Sequence, residues 1–321
     1  MSKPKCIVRP ATDVTEALDL WWPFMQLFAW NRASEDITLH YVPGSFLVAA
    51  AQDNPDKAEG CIVPFVFSNG TGWVGFFCMN PSKQGLGWGA ALFNAGLDHF
   101  NKHSALIVGL DAVQQQVGTY GRRGFVEKGR IRLMSCTFGQ ESMSRPPKDA
   151  EFDGRKVELQ EVHPSVLTKS DLAHTGLRRD DVWDRIWERD GTVGYALVRD
   201  KQQPVDSMDE LDGWVLVRTC EDGFRVGPLY ATSPRAASFL LTAAMEGAKT
   251  KFPEQAKKAK SFVAETWLGN AHASSIFDSA GFAWVGVDYH RMWLNGVVPE
   301  AQQAGGRADT DAFAMFDAGQ G

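Results

Sequence analysis

Cysteine is scarce in this chain and unorganised. The five residues, Cys6, Cys61, Cys78, Cys136 and Cys220, are scattered and odd in number. There is no CxxC pair and no Cys/His cluster, so no metal is expected. Cys61, Cys78 and Cys136 lie in apolar strand-like runs, and all five are read as reduced thiols of a reducing compartment. Basic charge is short as well: 33 Lys and Arg against 39 Asp and Glu give a formal charge of −6 and a pI near 5.7. That balance argues against a nucleic-acid surface. The start, MSKPKCIVRPATD, has no apolar signal-peptide core, and no run is long enough to span a bilayer. The expectation is a cytoplasmic protein with neither nucleic acid nor membrane as partner. The seven histidines are dispersed, each read as surface or structural.

What the chain does have is length and apolar content. Its 321 residues suggest two domains, and 44% hydrophobic residues support a sizeable core. One stretch organises the rest, 72–100. An apolar run from Trp73 to Met79 reads as a buried strand. Asn80-Pro81-Ser82-Lys83 is a short polar loop. Gln84-Gly85-Leu86-Gly87-Trp88-Gly89 then opens a segment, free of proline and β-branched residues, that reads as a helix to Phe100. A glycine-rich turn at a helix start is a place to hold phosphate, because the backbone comes close and first-turn amides point at the anion.

Before this stretch, Cys6–Arg9 reads as a strand, and Thr12 and Asp13 as caps of a helix through Leu20. Trp21–Trp30 reads either as a buried helix with Pro23 in its first turn or as a helix whose exposed aromatics wall a pocket. The runs 45–51 and 61–67 read as strands joined by a polar loop, with Ser68-Asn69-Gly70 as a hairpin turn into the central strand. After it come a strand from Ala105 that ends at Asp111, a short helix over 114–123 carrying Tyr120, the pair Gly124-Phe125, and strand character to Phe138. This α/β pattern is complete by about residue 140.

The half-chain resembles the GCN5-related N-acetyltransferases (GNAT). That family carries Gln/Arg-x-x-Gly-x-Gly/Ala between its fourth strand and third helix, and Gln84-x-x-Gly87-x-Gly89 matches every fixed position. It also commonly has a tyrosine four residues before a Gly-Phe pair, as Tyr120 stands before Gly124-Phe125. Residues 141–155 are polar with a Pro-Pro pair and read as a linker. The second half, 156–300, repeats the plan. A helix is expected over 171–187, strands over 192–198, 214–219 and 224–231, a helix over 234–250, a strand over 261–266, and a helix over 270–280 ending in Gly281-Phe282. Its turn, Thr232-Ser233-Pro234-Arg235, lacks glycine, and Phe277 stands where the first half has Tyr120. Asn270, seven residues before Phe277, matches an asparagine often seen in the family; the first half has Val113 there. The chain is therefore similar to tandem GNAT proteins, with a degenerate second copy. A tail, 301–321, is expected to be loose at first, with Phe313-Ala314-Met315-Phe316 docking.

The resemblance implies an α/β fold (a mixed sheet, α+β in character) in two tandem GNAT-like domains, and an enzyme that moves an acetyl group from acetyl-CoA to a small-molecule amine. The amides of Gln84, Gly85, Leu86, Gly87, Trp88 and Gly89 would hold the pyrophosphate. The strand at Phe77, Cys78 and Met79 would pair with the pantetheine and offer an amide to the thioester oxygen. Tyr120 is the candidate acid for the departing thiolate. Lys83, Arg122 and Arg123 are candidate contacts for the nucleotide end. Glu35, Asp36, Asp111 and Glu265 are conceivable bases, and spacing singles out none. The second half, with Trp183, Trp187 and Glu265, is expected to close the acceptor pocket or to be structural, in a monomer or homodimer. Two rival readings stand beside this one. Gly85-x-Gly87-x-x-Ala90 with Asp111 also fits a dinucleotide fingerprint, and a non-catalytic acyl-CoA sensor would keep the glycine turn without the chemistry.

Overall fold

The computed structural model describes residues 5–141, 154–199 and 205–321. Their contacts divide into two compact units: one runs through Leu110 and includes Gln320, the other runs from Asp111 to Gly319 and includes Gly321.

The first unit contains β1 (Cys6–Pro10), α1 (Val14–Leu27), α2 (Ile37–His40), β2 (Leu47–Ala51), β3 (Asn54–Val66), β4 (Thr71–Met79) and α3 (Trp88–Lys102), and ends in β5 (Ile107–Val113), which enters the second unit at Asp111. Strands β1 to β4 form an antiparallel meander, and β5 joins β4 in parallel. Strand β3 starts at Asn54, so the polar residues expected as a loop are its exposed beginning. Helix α1 is one helix where two stretches were expected, and Pro23 lies inside it and not in its first turn. The Asp13 carboxylate accepts from the Glu16 amide at 2.9 Å, and Trp21, Phe24 and Met25 form one buried stripe. Burial of such side chains is worth about 1.5–3 kcal/mol each, which offsets much of the lost proline amide. Leu27 and Phe28 at its end are exposed. The aromatic run is thus part core and part surface.

The second unit contains α4 (Val117–Gly121), β6 (Phe125–Thr137), β7 (Arg155–Glu158), α5 (Pro164–Thr175), α6 (Asp180–Glu188), β8 (Thr192–Val198), β9 (Leu211–Cys220), β10 (Gly223–Ala231), α7 (Pro234–Lys251), α8 (Pro253–Lys258), β11 (Ser261–Trp267), α9 (Ala273–Ser279), β12 (Ala283–Leu294), α10 (Arg307–Asp311) and β13 (Ala312–Ala314). Its strands run β12-β6-β11-β10-β9-β8-β7, with β13 set against both β11 and β10. The helix expected over 171–187 is two helices. Gly176 ends α5 at φ +72, donating to the Leu172 carbonyl at 2.7 Å, and a Cβ there would strike Pro299. Of the expected linker, residues 142–153 lie outside the described residues. The tail is ordered from its start: Gln302 is buried, accepting from Arg291 and donating to the Thr175 carbonyl. Asp111 lies within β5 and not at its end.

The repeat and the packing part company at β6. This strand follows the first copy's Gly124-Phe125, yet it pairs antiparallel with β11 on one side, Ile131↔Trp267 to Thr137↔Ser261, and with β12 on the other, Phe125↔Leu294 to Ser135↔Ala283. Met134 and Cys136 belong to the same core as Phe224, Leu240, Phe262 and Phe277. With that pairing β6 belongs to the second unit, which begins at Asp111. All five cysteines are free thiols, four of them buried. Among the described residues no helix is long and apolar enough to cross a membrane, and no group of three His, Cys, Asp or Glu side chains is placed to hold a metal.

A fragment of residues 1–155 removes both partners of β6 and bares Ile131, Met134 and Cys136, all buried in the full chain. It is expected to elute as aggregate in gel filtration. A monodisperse fragment with native-like strand signal by circular dichroism would contradict this dependence.

Candidate functional site

The glycine turn is open. After β4, Pro81–Lys83 form a single 3-10 turn whose cap is Asn80: its side chain accepts from the Ser82 amide at 3.0 Å. Gly85 and Gly87 then take left-handed backbone, φ +74 and +89, and nothing lies within 4 Å of a Cβ built on either. Gly87 is the N-cap of α3 and no side chain caps that helix. The first-turn amides of Gly89 and Ala90 are therefore not taken by a capping oxygen, and with the helix dipole they make an anion-binding end. Gln84, Gly85 and Gly87 are exposed and Leu86 and Gly89 half-buried, while Trp88 turns inward. Lys83 lies 5.3 Å from the Trp88 ring and 3.7 Å from Glu59. Glu59 also accepts from the Asn80 side chain at 2.8 Å. Glu59 and Asn80 brace the turn from behind; sequence reading did not find Glu59, which lies in β3 and is brought there only by strand pairing.

The strand that leads into the turn is distorted where the chemistry is expected. Opposite Ile62, β4 carries an extra residue: Gly75 pairs with Val63 and Cys78 with Cys61. Phe76 sits at φ +47 within this bulge, a conformation rare for a bulky residue. The parallel ladder to β5 covers Thr71–Trp73 against Ile107–Gly109 and, among the described residues, ends there. Beyond it Phe77 is half-buried, its ring 5.4 Å from Phe93, and Cys78 and Met79 are buried. Burial pushes the Cys78 thiol well above its ordinary range, and a hydrogen bond with Cys61 adds to this. Cys78 is thus poorly suited to act as a nucleophile. What this part of β4 has to offer a ligand is main chain.

The same design recurs in the second unit. Strand β10, like β4, has nine residues, pairs in parallel with the next strand over its first four, Gly223–Val226 against Ser261–Ala264, and then bulges opposite Leu216. Its helix start differs. Ser233 caps α7, its hydroxyl accepting from the Ala236 amide at 3.2 Å, and Pro234 occupies the first turn. The anion-binding end that α3 leaves open is closed in α7 by a side chain and a missing amide.

The remaining candidates lie as follows. Tyr120 is on α4 in the second unit, buried, with its ring 6.4 Å from Phe125. Arg123 donates to the Thr119 carbonyl at 2.9 Å, and Arg122 lies 3.4 Å from the Thr119 hydroxyl. Asp111 binds Arg291 through both oxygens, at 2.9 and 2.7 Å, and neither side chain is exposed. It is a structural ion pair. That removes Asp111 as a mobile base, and as the ribose acceptor the dinucleotide reading required. Glu265 is paired with Arg225 and accepts from the Ala318 amide at 2.5 Å. Asp36 is buried, accepting from the Ala33 amide at 3.4 Å, and Glu35 is exposed. Trp183 donates to Asp171 at 2.9 Å. Trp187 lines an apolar cavity of about 210 Å³ together with Leu159, Val162, Leu167 and Leu216.

Comparison with known proteins bears on this geometry. Residues 14–125 match the model of the acetyltransferase (GNAT) family, and residues 197–276 match a second acetyltransferase (GNAT) domain model. A holothin acyltransferase from Pseudoalteromonas sp. (strain SANK 73390) is 25% identical over 173 residues, which are 54% of this chain and 52% of that protein. The match thus spans about half the length of that relative. Among solved structures, a putative acetyltransferase from Pyrococcus horikoshii is similar over 98% of this chain and 96% of its own, at 21% identity and a TM-score of 0.70. A tandem GNAT protein from the clavulanic acid biosynthesis pathway is similar over 90% of this chain and 98% of its own, at 13% identity and a TM-score of 0.61.

Two outcomes follow. Gly87→Val forces a β-branched residue to φ +89, and is expected to cost about 1–2 kcal/mol and several degrees of Tm by calorimetry. Arg291→Ala leaves the Asp111 carboxylate buried without its cation, at about 3–5 kcal/mol. Burial already raises the Asp111 pKa, so its contribution is complete below the ordinary carboxylate range and falls as pH rises through the raised value. The Arg291→Ala deficit in urea midpoint is therefore expected to be larger at pH 8 than at pH 5; an equal deficit would contradict it.

Proposed function

The chain is an acyltransferase of the GNAT family, built as two tandem GNAT domains, and from that premise we propose that it moves an acetyl group from acetyl-CoA to the amine of a small molecule. One observation carries the reading: the helix start at Gly87 is uncapped and surrounded by open space, whereas its counterpart at Ser233 is capped and carries proline. A diphosphate is suited to the first end and not to the second. The glycines fit the group, because side chains at 85 and 87 would have to adopt left-handed backbone and would fill the space a phosphate needs.

Coenzyme A supplies the acyl thioester, and the chain's residues hold and orient it. The amides of the turn, Gln84 to Gly89, bind the diphosphate. The β4 main chain at Phe77–Met79 pairs with the amides of the pantetheine arm and turns a donor toward the thioester oxygen, where negative charge grows as the amine attacks. As the N–C bond forms and the C–S bond breaks, Tyr120 donates its phenolic proton to the departing sulfur, the amine nitrogen loses its proton to water, and the phenolate is reprotonated from solvent. A donor for that proton is needed because a thiolate leaving into a water-poor site is otherwise costly. Lys83, with its charge partly balanced by Glu59, sits beside the turn for the nucleotide end.

Tyr120→Phe is expected to leave acetyl-CoA affinity within about threefold, since a phenol that only donates a proton adds little to ground-state binding, while turnover falls by roughly a hundredfold or more. Calorimetry and single-turnover thiol release separate the two, and unchanged turnover removes Tyr120 from the chemistry. Release of free thiol from acetyl-CoA across a panel of amino sugars, polyamines and amino acids tests the reaction itself. Binding without thiol release for any amine would favour an acyl-CoA sensor.

A further inference from the structure

In the second unit the gap beyond the bulge is not open. Strand β13 fills it, pairing antiparallel with β10 at Leu229↔Ala314 and Tyr230↔Ala312 and with β11 at Thr266↔Ala314. The Met315 amide donates to the Glu265 carbonyl at 2.8 Å. Asn270, the residue that matches a family asparagine, donates its side-chain amide to the Thr310 and Ala312 carbonyls at 3.0 and 3.1 Å. Phe313 and Met315 are fully buried and Phe316 nearly so. A Cβ on Gly227, at the bulge, would collide with the Met315 carbonyl oxygen, so glycine there admits the segment's backbone. Downstream, Arg218 donates to the Phe316 carbonyl at 3.0 Å and to the Asp317 carboxylate at 3.3 Å, with its guanidinium 4.2 Å from the Phe316 ring. Arg179, itself held by Asp171, donates to the Gly321 backbone oxygen.

These are the attributes of a ligand in a strand-addition site: main-chain bonds for affinity and buried side chains and ion pairs for specificity. We infer that the second copy is a receptor slot for an extended, amide-bearing chain and that residues 312–319 are its tethered occupant. The slot lies where the first copy is proposed to pair with pantetheine. The tether therefore excludes the acyl-carrying arm from the second copy and confines coenzyme to one site per chain, a consequence that rests on the proposed function.

The test uses the full chain with a specific protease site inserted between Gln303 and Gly306, cut after folding. Fragment 307–321 is expected to stay with the body through gel filtration, and a fluorescent 307–321 peptide to exchange into it one for one. The same peptide carrying Phe316→Ala and Asp317→Ala is expected to compete at least about tenfold more weakly. A fragment that leaves a body of unchanged Tm, or equal competition by the altered peptide, overturns the inference. Should the cut protein aggregate, hydrogen exchange of the intact chain decides. Met315 and Ala318 amides as slow as those of β10 support the tether, and exchange within seconds overturns it. Equilibrium dialysis of the intact chain separates the two readings. One equivalent of acetyl-CoA supports both, two overturn the exclusion alone, and none overturns the proposed function while leaving the peptide results to stand.

Discussion

A parallel ladder that stops short governs both halves of this chain. Strand β4 meets β5 over three pairs and β10 meets β11 over four, and each then bulges. Beyond the bulge, among the described residues, neither parallel ladder continues. Main-chain polar groups that are withdrawn from water need partners, at about 1–3 kcal/mol for each group left without one. Along β10 the partner can be named. In the second unit it is the chain's own residues 312–315. In the first unit, no ladder among the described residues continues β4 toward β5 beyond Trp73.

The two helix starts follow the same division. Where the edge is filled from within, the following helix is capped by Ser233 and begins with Pro234. In the first copy the following helix begins at a left-handed glycine, with nothing within 4 Å of a Cβ built there. Capping and filling are separate features of the sequence, 80 residues apart, and each closes one part of what would be a single extended ligand's path. They coincide in the second copy, while the helix start of the first copy has no side-chain cap. A single lost glycine would have been a weaker statement, because helices with serine caps are common and carry no message by themselves.

Much of this was legible in the residues. The alternation of strand and helix, the Gln84-x-x-Gly87-x-Gly89 turn and its failure at Ser233-Pro234 all rest on local rules, and local rules are what a sequence displays. Strand β8 was bounded to the residue and α7 within one. The misreadings are of another kind. Asp111 looked like the end of a strand because its partner, Arg291, stands 180 positions later. Glu59 was invisible as a brace because it reaches Asn80 only through the β3–β4 pairing. The break of α5 at Gly176 is a left-handed glycine cap, a local signal that was overlooked. Strand β6 was correctly expected as a strand, but nothing in its own residues says that it pairs with β11 and β12. The misses at Asp111, Glu59 and β6 are pairings between distant positions, for which one sequence offers no periodicity or spacing to read.

The tail shows how far composition misleads at such places. Residues 301–321 are rich in glycine, alanine and glutamine, the usual marks of a loose segment. Small residues are also what a narrow slot between two strands admits. Ala312 and Ala314 pair with β10 and β11 and are fully buried, and glycine at 227 leaves room for the Met315 carbonyl. Phe313, Met315 and Phe316 are buried, and the buried Asp317 pairs with Arg218. A segment that reads as disordered by average is ordered by complementarity, because its small residues fit the backbone gap and its few large ones fit the core. The same reasoning bears on the first copy. There β4 bulges at Phe76, and its parallel ladder to β5 also stops short, at Trp73.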